Sequence, residues 1–195
     1  MTDPQSTRLL VGLGNPGADY AGTRHNVGFW LADEVARTGG AVFRRESKFQ
    51  GEVCRVTIGG RDLWLLKPLT YMNRSGASVG ALCHYLKVAP EELLVAHDEL
   101  DLPVGAARIK IGGGHAGHNG LRDIVAVLGS PDFLRIRIGI AHPGDRTRVV
   151  NYVLGRPSKD DETAIRAALD EAAACLPLLL EGKVQPAQNR LHTQR

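Results

Sequence analysis

The distribution of apolar and polar positions divides the chain into alternating short strands and helices. Arg8–Leu13 (RLLVGL) is a continuous apolar run of strand length, stopped by the turn Gly14-Asn15-Pro16-Gly17. Asn26–Thr38 follows with helical spacing, with Phe29, Trp30, Val35 and Ala36 as its apolar face and Gly39-Gly40 as its stop. Glu52–Ile58 and Asp62–Lys67 flank Gly59-Gly60-Arg61 and predict a hairpin. Ser75–Leu86 is a second helix rich in small residues, and Leu93–Ala96 (LLVA) a short buried strand ending at the polar run His97-Asp98-Glu99. Ala107–Ile111 alternates as a strand and meets a glycine-rich loop, Gly112 to Gly120, before a short helix over Leu121–Leu128. Arg135–Ile140 is a strand with Ile136, Ile138 and Ile140 on one face and Arg135 and Arg137 on the other. Asp160–Glu181 predicts one long amphipathic helix, capped by Ser158 and Gly182 and interrupted at Pro177.

Strands and helices interleave, and the hairpin requires antiparallel pairing. The fold class is therefore α/β, a single domain over residues 1–195 with a twisted mixed β-sheet flanked by helices. There is no internal repeat, low-complexity tract or linker. At 195 residues and 43% hydrophobic the chain supports one sizeable core. Met1–Thr7 is polar, is expected to be a flexible terminus, and lacks the apolar stretch of a signal peptide. No run approaches the roughly 18 to 20 apolar residues that span a bilayer, so no membrane is expected. Cys54, Cys83 and Cys175 are far apart and show no CxxC spacing, which fits buried thiols in a reducing cytoplasm.

Net charge is only +3, but its distribution is uneven. Arg108, Lys110, Arg122, Arg135, Arg137, Arg146 and Arg148 are opposed in their stretch only by Asp123, Asp132 and Asp145. Such an excess predicts a local basic face, although a solvated surface accounts for many basic stretches. Gly12, Gly14 and Gly17 form a literal G-x-G-x-x-G, the signal of a dinucleotide site. Pro16 and the irregular stretch to Arg24 delay the helix whose N-terminus would hold a pyrophosphate, and no acidic residue closes a second strand about 20 positions on. His115 and His118 are spaced H-x-x-H, yet a glycine loop does not set both imidazoles on one face, and no third ligand is near in sequence. Neither a metal nor a cofactor is expected. Ser75 lacks a nucleophile elbow, and Cys83 and His84, adjacent on a helix, point apart.

Five polar residues remain at strand ends and in loops: Asn15, His25, Asn73, Asp98 and Asn119. Turn formation or capping explains any one of them. Together they suit hydrolysis without a covalent intermediate. A neutral imidazole takes a proton from water, a carboxylate holds its tautomer, and asparagine amides donate to a developing oxyanion. Composition and spacing reach no further than a hydrolase on an α/β sheet.

Longer motifs reach further. Gly12-Leu-Gly-Asn-Pro-Gly and Tyr20-Ala-Gly-Thr-Arg-His-Asn-Val-Gly with Asp33 beyond it resemble signatures of bacterial-type peptidyl-tRNA hydrolases. So do Lys67-Pro-Leu-Thr-Tyr-Met-Asn-Arg-Ser-Gly, Val95-Ala-His-Asp-Glu-Leu-Asp-Leu-Pro, Gly112–Leu121 and Arg137-Ile-Gly-Ile-Ala-His-Pro-Gly-Asp. The resemblance runs from Leu9 to about His192, with Tyr71 where Phe is common and Ala116 where Gly is frequent. It implies a monomeric, metal-independent cytoplasmic esterase that frees the peptide from the acceptor end of peptidyl-tRNA. It further implies His25 as general base paired with Asp98, with Asn15 and Asn73 holding the terminal adenosine and substrate backbone. Asn119 would bind the peptide and position the water. Tyr20, Tyr71, Met72 and His118 would line the same crevice. Lys110 and Arg137 match residues that clamp the tRNA 5′-phosphate, and Arg108, Arg146 and Arg148 are further candidates. A module that binds tRNA or peptide without cleaving it is the competing reading, and an intact His25 and Asp98 weigh against it.

Overall fold

The computed structural model describes residues 5–193. Its core is one seven-stranded sheet of order β2-β3-β4-β1-β5-β7-β6. The strands are β1 (Leu9–Gly12), β2 (Arg44–Glu46), β3 (Gly51–Ile58), β4 (Arg61–Pro68), β5 (Leu93–Glu99), β6 (Ala107–Ile111) and β7 (Leu134–Gly139). The helices are α1 (Val27–Thr38), α2 (Ser75–Leu86), α3 (Asn119–Leu128), α4 (Val149–Val153), α5 (Lys159–Ala174), α6 (Leu176–Leu180) and α7 (Val184–His192). Strands β4, β1, β5 and β7 are parallel, while β3 runs antiparallel to β4 and β6 antiparallel to β7. The sheet is mixed, as the hairpin required.

The run Leu9–Val11 is apolar throughout because both faces of the central strand are covered. Leu10 belongs to the core cluster that holds the buried residues of α1, α5, α6 and α7, whereas Leu9 and Val11 belong to the one that holds those of α2 and α3. Helix α1 lies very close to the sheet. A Cβ on Gly12 would fall 2.2 Å from the Gly28 carbonyl oxygen, and one on Gly28 would fall 2.4 Å from that of Ala96. The glycine motif therefore lets a helix approach a strand rather than cradling a dinucleotide. Because β4, β1, β5 and β7 are parallel, their C-terminal ends share one edge, where ligands gather in open α/β sheets.

Several elements depart from the sequence reading. Strand β5 continues through His97-Asp98-Glu99, all three buried, because these polar groups find partners that let the ladder extend. Helix α3 begins at Asn119, two residues early, because the His118 side chain caps it. The predicted long helix ends at Ala174 and restarts at Leu176, with Pro177 in the first turn of α6. Pro177 has no N–H for a continuing helix, so the break falls where it was expected. Strand β2 and helices α4 and α7 were not foreseen; all are short or weakly patterned. Of the expected flexible stretch Met1–Thr7, residues 1–4 lie outside the described residues. Thr7 is buried and its N–H donates to the Leu179 carbonyl at 3.1 Å. No helix among the described residues is long and apolar enough to cross a membrane.

Candidate active site

The shared C-terminal edge opens into a cleft of about 700 Å³. Asn15, His25, Tyr71, Met72, Asn73, Asp98, His118 and Asn119 all line it. Tyr20 does not; it is half-buried outside the cleft, where its carbonyl accepts hydrogen bonds from the Thr23 N–H and hydroxyl.

Asp98 is the centre of the site. It is 3% exposed at the end of β5, where an unpartnered carboxylate would be very costly. His25, in the short 3-10 turn ahead of α1, meets Oδ2 through Nδ1 at 2.8 Å. His118 meets Oδ1 through Nε2, also at 2.8 Å. The Leu121 N–H donates to Nδ1 of His118 at 3.3 Å, which fixes the tautomer, so Nε2 carries the proton and donates to Asp98. Both His118 nitrogens are thus engaged within the protein. Neutral His25 donates from Nδ1 and turns a bare Nε2 lone pair toward the cleft. Burial by itself would lower the pKa of His25, but the charge of Asp98 and its hydrogen bond outweigh burial and raise it above 6.5. Burial pulls the Asp98 carboxyl the other way, yet the two imidazoles hold it well below the usual carboxylate range.

A third imidazole lies beneath these two. His97 is fully enclosed, its Nδ1–H donating to the Asp98 carbonyl at 2.8 Å, and its ring meets that of His118 edge-on at 5.1 Å. Burial first, and then His118, push its pKa down to about 3, so it stays neutral under ordinary conditions. Sequence reasoning read His97 only as part of a polar run. Its burial follows from the extension of β5, which no periodicity signalled.

Asn15 is held from two sides. Its backbone N–H donates to Asn26 Oδ1 and its carbonyl accepts from Asn26 Nδ2, both at 2.9 Å. Its side-chain Oδ1 accepts the Met72 N–H at 2.7 Å, which leaves the amide NH2 as the group available to the cleft. Asn73 and Asn119 are exposed on the rim, at the N-terminal ends of α2 and α3. Asp123 of α3 accepts the Gly76 N–H of α2 at 2.7 Å, so the two helix starts are fastened side by side. Helix α4 and Leu154 just after it add Val149, Val150 and Leu154 to the cleft lining, which sequence reasoning missed. Its far end is stapled to the segment carrying His25. Arg24 stacks on the Tyr152 ring at 4.0 Å and donates to the Tyr152 carbonyl at 3.0 Å, while the Tyr152 hydroxyl donates to the Ile140 carbonyl.

The H-x-x-H pair does not come together as a ligand pair. His115 Nδ1 accepts the Gly117 N–H at 3.0 Å, while His118 turns to Asp98. The structure instead brings His25, Asp98 and His118 close enough, within 4.8 Å, to be considered as metal ligands. Their N···O separations of 2.8 Å are those of hydrogen bonds. Tetrahedral ligands about 2.0–2.1 Å from a zinc ion would stand farther apart. Ala116 adopts φ 47°, a left-handed conformation that costs a non-glycine residue about 1–2 kcal/mol.

Lys110 and Arg137 lie outside the cleft on the β6–β7 ribbon. The pairing of Arg108 with Arg137 and of Lys110 with Arg135 sets all four on one face. Arg137 Nε donates to Glu99 Oε1 at 2.7 Å, and Glu99 lines the cleft, so the basic face adjoins the site. Arg135 does not belong to the open part of that face. It is 1% exposed, because its guanidinium is drawn under the glycine loop.

A metal-ligand-like cluster held by hydrogen bonds, an imidazole with a free lone pair and an oriented amide define the cleft of a hydrolytic enzyme acting on an acyl group. The particular family follows from comparison with known proteins. Residues 9–195 match the family model described as peptidyl-tRNA hydrolase, and the chain belongs to that family. A peptidyl-tRNA hydrolase of Halorhodospira halophila is 55% identical over 185 residues, covering 95% of each chain. One from Neisseria meningitidis is 51% identical, covering 96% of this chain and 97% of its own. The crystal structure of peptidyl-tRNA hydrolase from Acinetobacter baumannii superimposes with a TM-score of 0.94 at 46% identity, covering 97% of this chain and 96% of that one.

Proposed function

We propose that this protein hydrolyses the ester of peptidyl-tRNA by water activated at His25, without a metal. The observation that carries the reading is the His25–Asp98 pair, closed at 2.8 Å on the Nδ1 side and open to the cleft on the Nε2 side. Nε2 takes a proton from water as the oxygen attacks the ester carbonyl. The resulting imidazolium is stabilised by the buried carboxylate and returns its proton to the departing ribose oxygen. The oriented Asn15 amide, with Asn73 and Asn119, donates to substrate carbonyls and to the oxyanion. The acceptor end occupies the cleft, and the 5′-phosphate meets Lys110 and Arg137. Asp98 polarises His25 and stays ionised throughout.

Single-turnover cleavage of a peptidyl-tRNA tests this reading. His25→Ala should slow the chemical step by about 100- to 10,000-fold with little change in substrate binding. The wild-type protein should keep its rate after exhaustive chelation. Near-wild-type turnover by the variant would remove His25 from the mechanism. A rate lost to EDTA and restored by one added divalent metal would turn the His25–Asp98–His118 cluster into a metal site.

A further inference from the structure

We infer that Arg135 is a positioning residue for the reaction: its buried guanidinium shapes the glycine loop that delivers His118 to Asp98, and it does not grip RNA. Its place on β7 suggests otherwise, because it shares a strand face with Arg108, Lys110 and Arg137. Its surroundings exclude contact with a large ligand. Arg135 is 1% exposed, Nη1 donates to the Gly114 carbonyl at 2.6 Å, and Nη2 donates to the carbonyls of Gly113 at 2.7 Å and Pro131 at 3.3 Å. The guanidinium carbon lies 4.7 Å from the centre of the Phe133 ring. Among the described residues no carboxylate pairs with it, and the nearby Glu99 is engaged by Arg137. Burying a cation without a counter-ion is expensive, and here carbonyl dipoles of the loop supply the compensation. The same attraction pulls those carbonyls into place.

The loop needs such a clamp. Gly112, Gly113 and Gly117 have φ of 60°, 92° and 79°, conformations that glycine permits but does not enforce. Only His115, Ala116 and Gly117 separate the clamped carbonyls from His118. That short bridge is tied internally, by His118 N–H to the His115 carbonyl at 2.9 Å and Gly117 N–H to His115 Nδ1 at 3.0 Å. Movement at Gly113 and Gly114 is therefore passed on to His118 and Asn119. A lysine would keep the charge, but one ammonium does not reproduce the planar fork that spans both carbonyls.

This inference rests on the reading of His25 and Asp98 as the reacting pair. That reading fails separately if the wild-type pH–rate profile has no acidic limb. The test compares Arg135→Lys with wild type on full peptidyl-tRNA and on a peptide esterified to a short 3′ fragment. The expected result is an equal loss of kcat on both substrates, about 10- to 100-fold, with KM little changed. The salt dependence of kcat/KM should keep its slope, since no phosphate contact is removed. The acidic limb should move to higher pH, because Asp98, with a weakened bond from His118, acts more strongly on His25. A loss confined to the full substrate with a shallower salt slope would make Arg135 an RNA contact and overturn the inference. Unchanged kcat and pH profile would overturn it too. If the variant does not fold, the wild-type protein decides the matter. Its Arg135 guanidinium NMR signals should exchange slowly and stay unmoved on titration with a 5′-phosphorylated acceptor-stem RNA. Signals that move or exchange freely would contradict the inference.

Discussion

The cleft and the neighbouring face of β6 and β7 both depend on polar side chains at one end of the sheet, and they hold them in opposite ways. In the cleft, both oxygens of Asp98 accept imidazole N–H groups, both nitrogens of His118 are engaged, and Asn15 is fixed through its backbone and its side-chain oxygen. On the ribbon, Arg137 keeps one ion pair, to Glu99, with 24% of its side chain exposed, and Lys110 is half-buried. The contrast matches the two tasks proposed for them. A group that exchanges a proton or stabilises an oxyanion loses its value when displaced by about 1 Å. A cation meeting a phosphate acts mainly through charge and tolerates a looser hold.

Locked groups should therefore fail sharply and on every substrate. Asn15→Asp keeps an oxygen to accept the Met72 N–H but removes the amide donor from the cleft. We expect kcat/KM to fall by about 100- to 1,000-fold on full and short substrates alike, the scale of losing one oxyanion donor. A loss below tenfold would place Asn15 outside the oxyanion and substrate contacts. Loosely held groups should fail gently and selectively. Lys110→Ala with Arg137→Ala should lower kcat/KM on full peptidyl-tRNA by about tenfold or more and make its salt dependence shallower by about one unit of slope per contact. The short substrate should be cleaved almost as by wild type. Arg137→Lys should recover only part of the loss, since charge returns without the guanidinium fork. Equal losses on both substrates would mean that these residues support the cleft through Glu99 rather than grip the phosphate.

The same contrast explains what the sequence could reveal. Strand β1, the β3–β4 hairpin and helix α2 were legible because period and glycine punctuation agree with the fold. Asp98 and His25 stood out as polar residues at element ends, and the family motifs assigned them roles. The linkage of His118 to Asp98 was not legible, because nothing in an H-x-x-H spacing says that one imidazole turns inward while the other binds its own loop. Arg135 misled for a related reason. Alternation places it correctly on the face with Arg137, but whether a cation meets solvent depends on the loop folded over it. Helix α4 gave too little pattern, since it is only five residues long and stops just short of Gly155.

The central claim is that neutral His25, held by ionised Asp98, activates the attacking water. The pH dependence of kcat/KM for wild type and Asp98→Asn tests it most directly. His25 must be unprotonated to act, so the rate rises with pH through its pKa. Since Asp98 raises that pKa against the effect of burial, the wild-type midpoint should lie above 6.5. Asp98→Asn removes the charge and leaves the burial, so the midpoint should fall below 6.5 while the plateau drops. A midpoint that stays in place, or a wild-type rate with no acidic limb, would contradict the account.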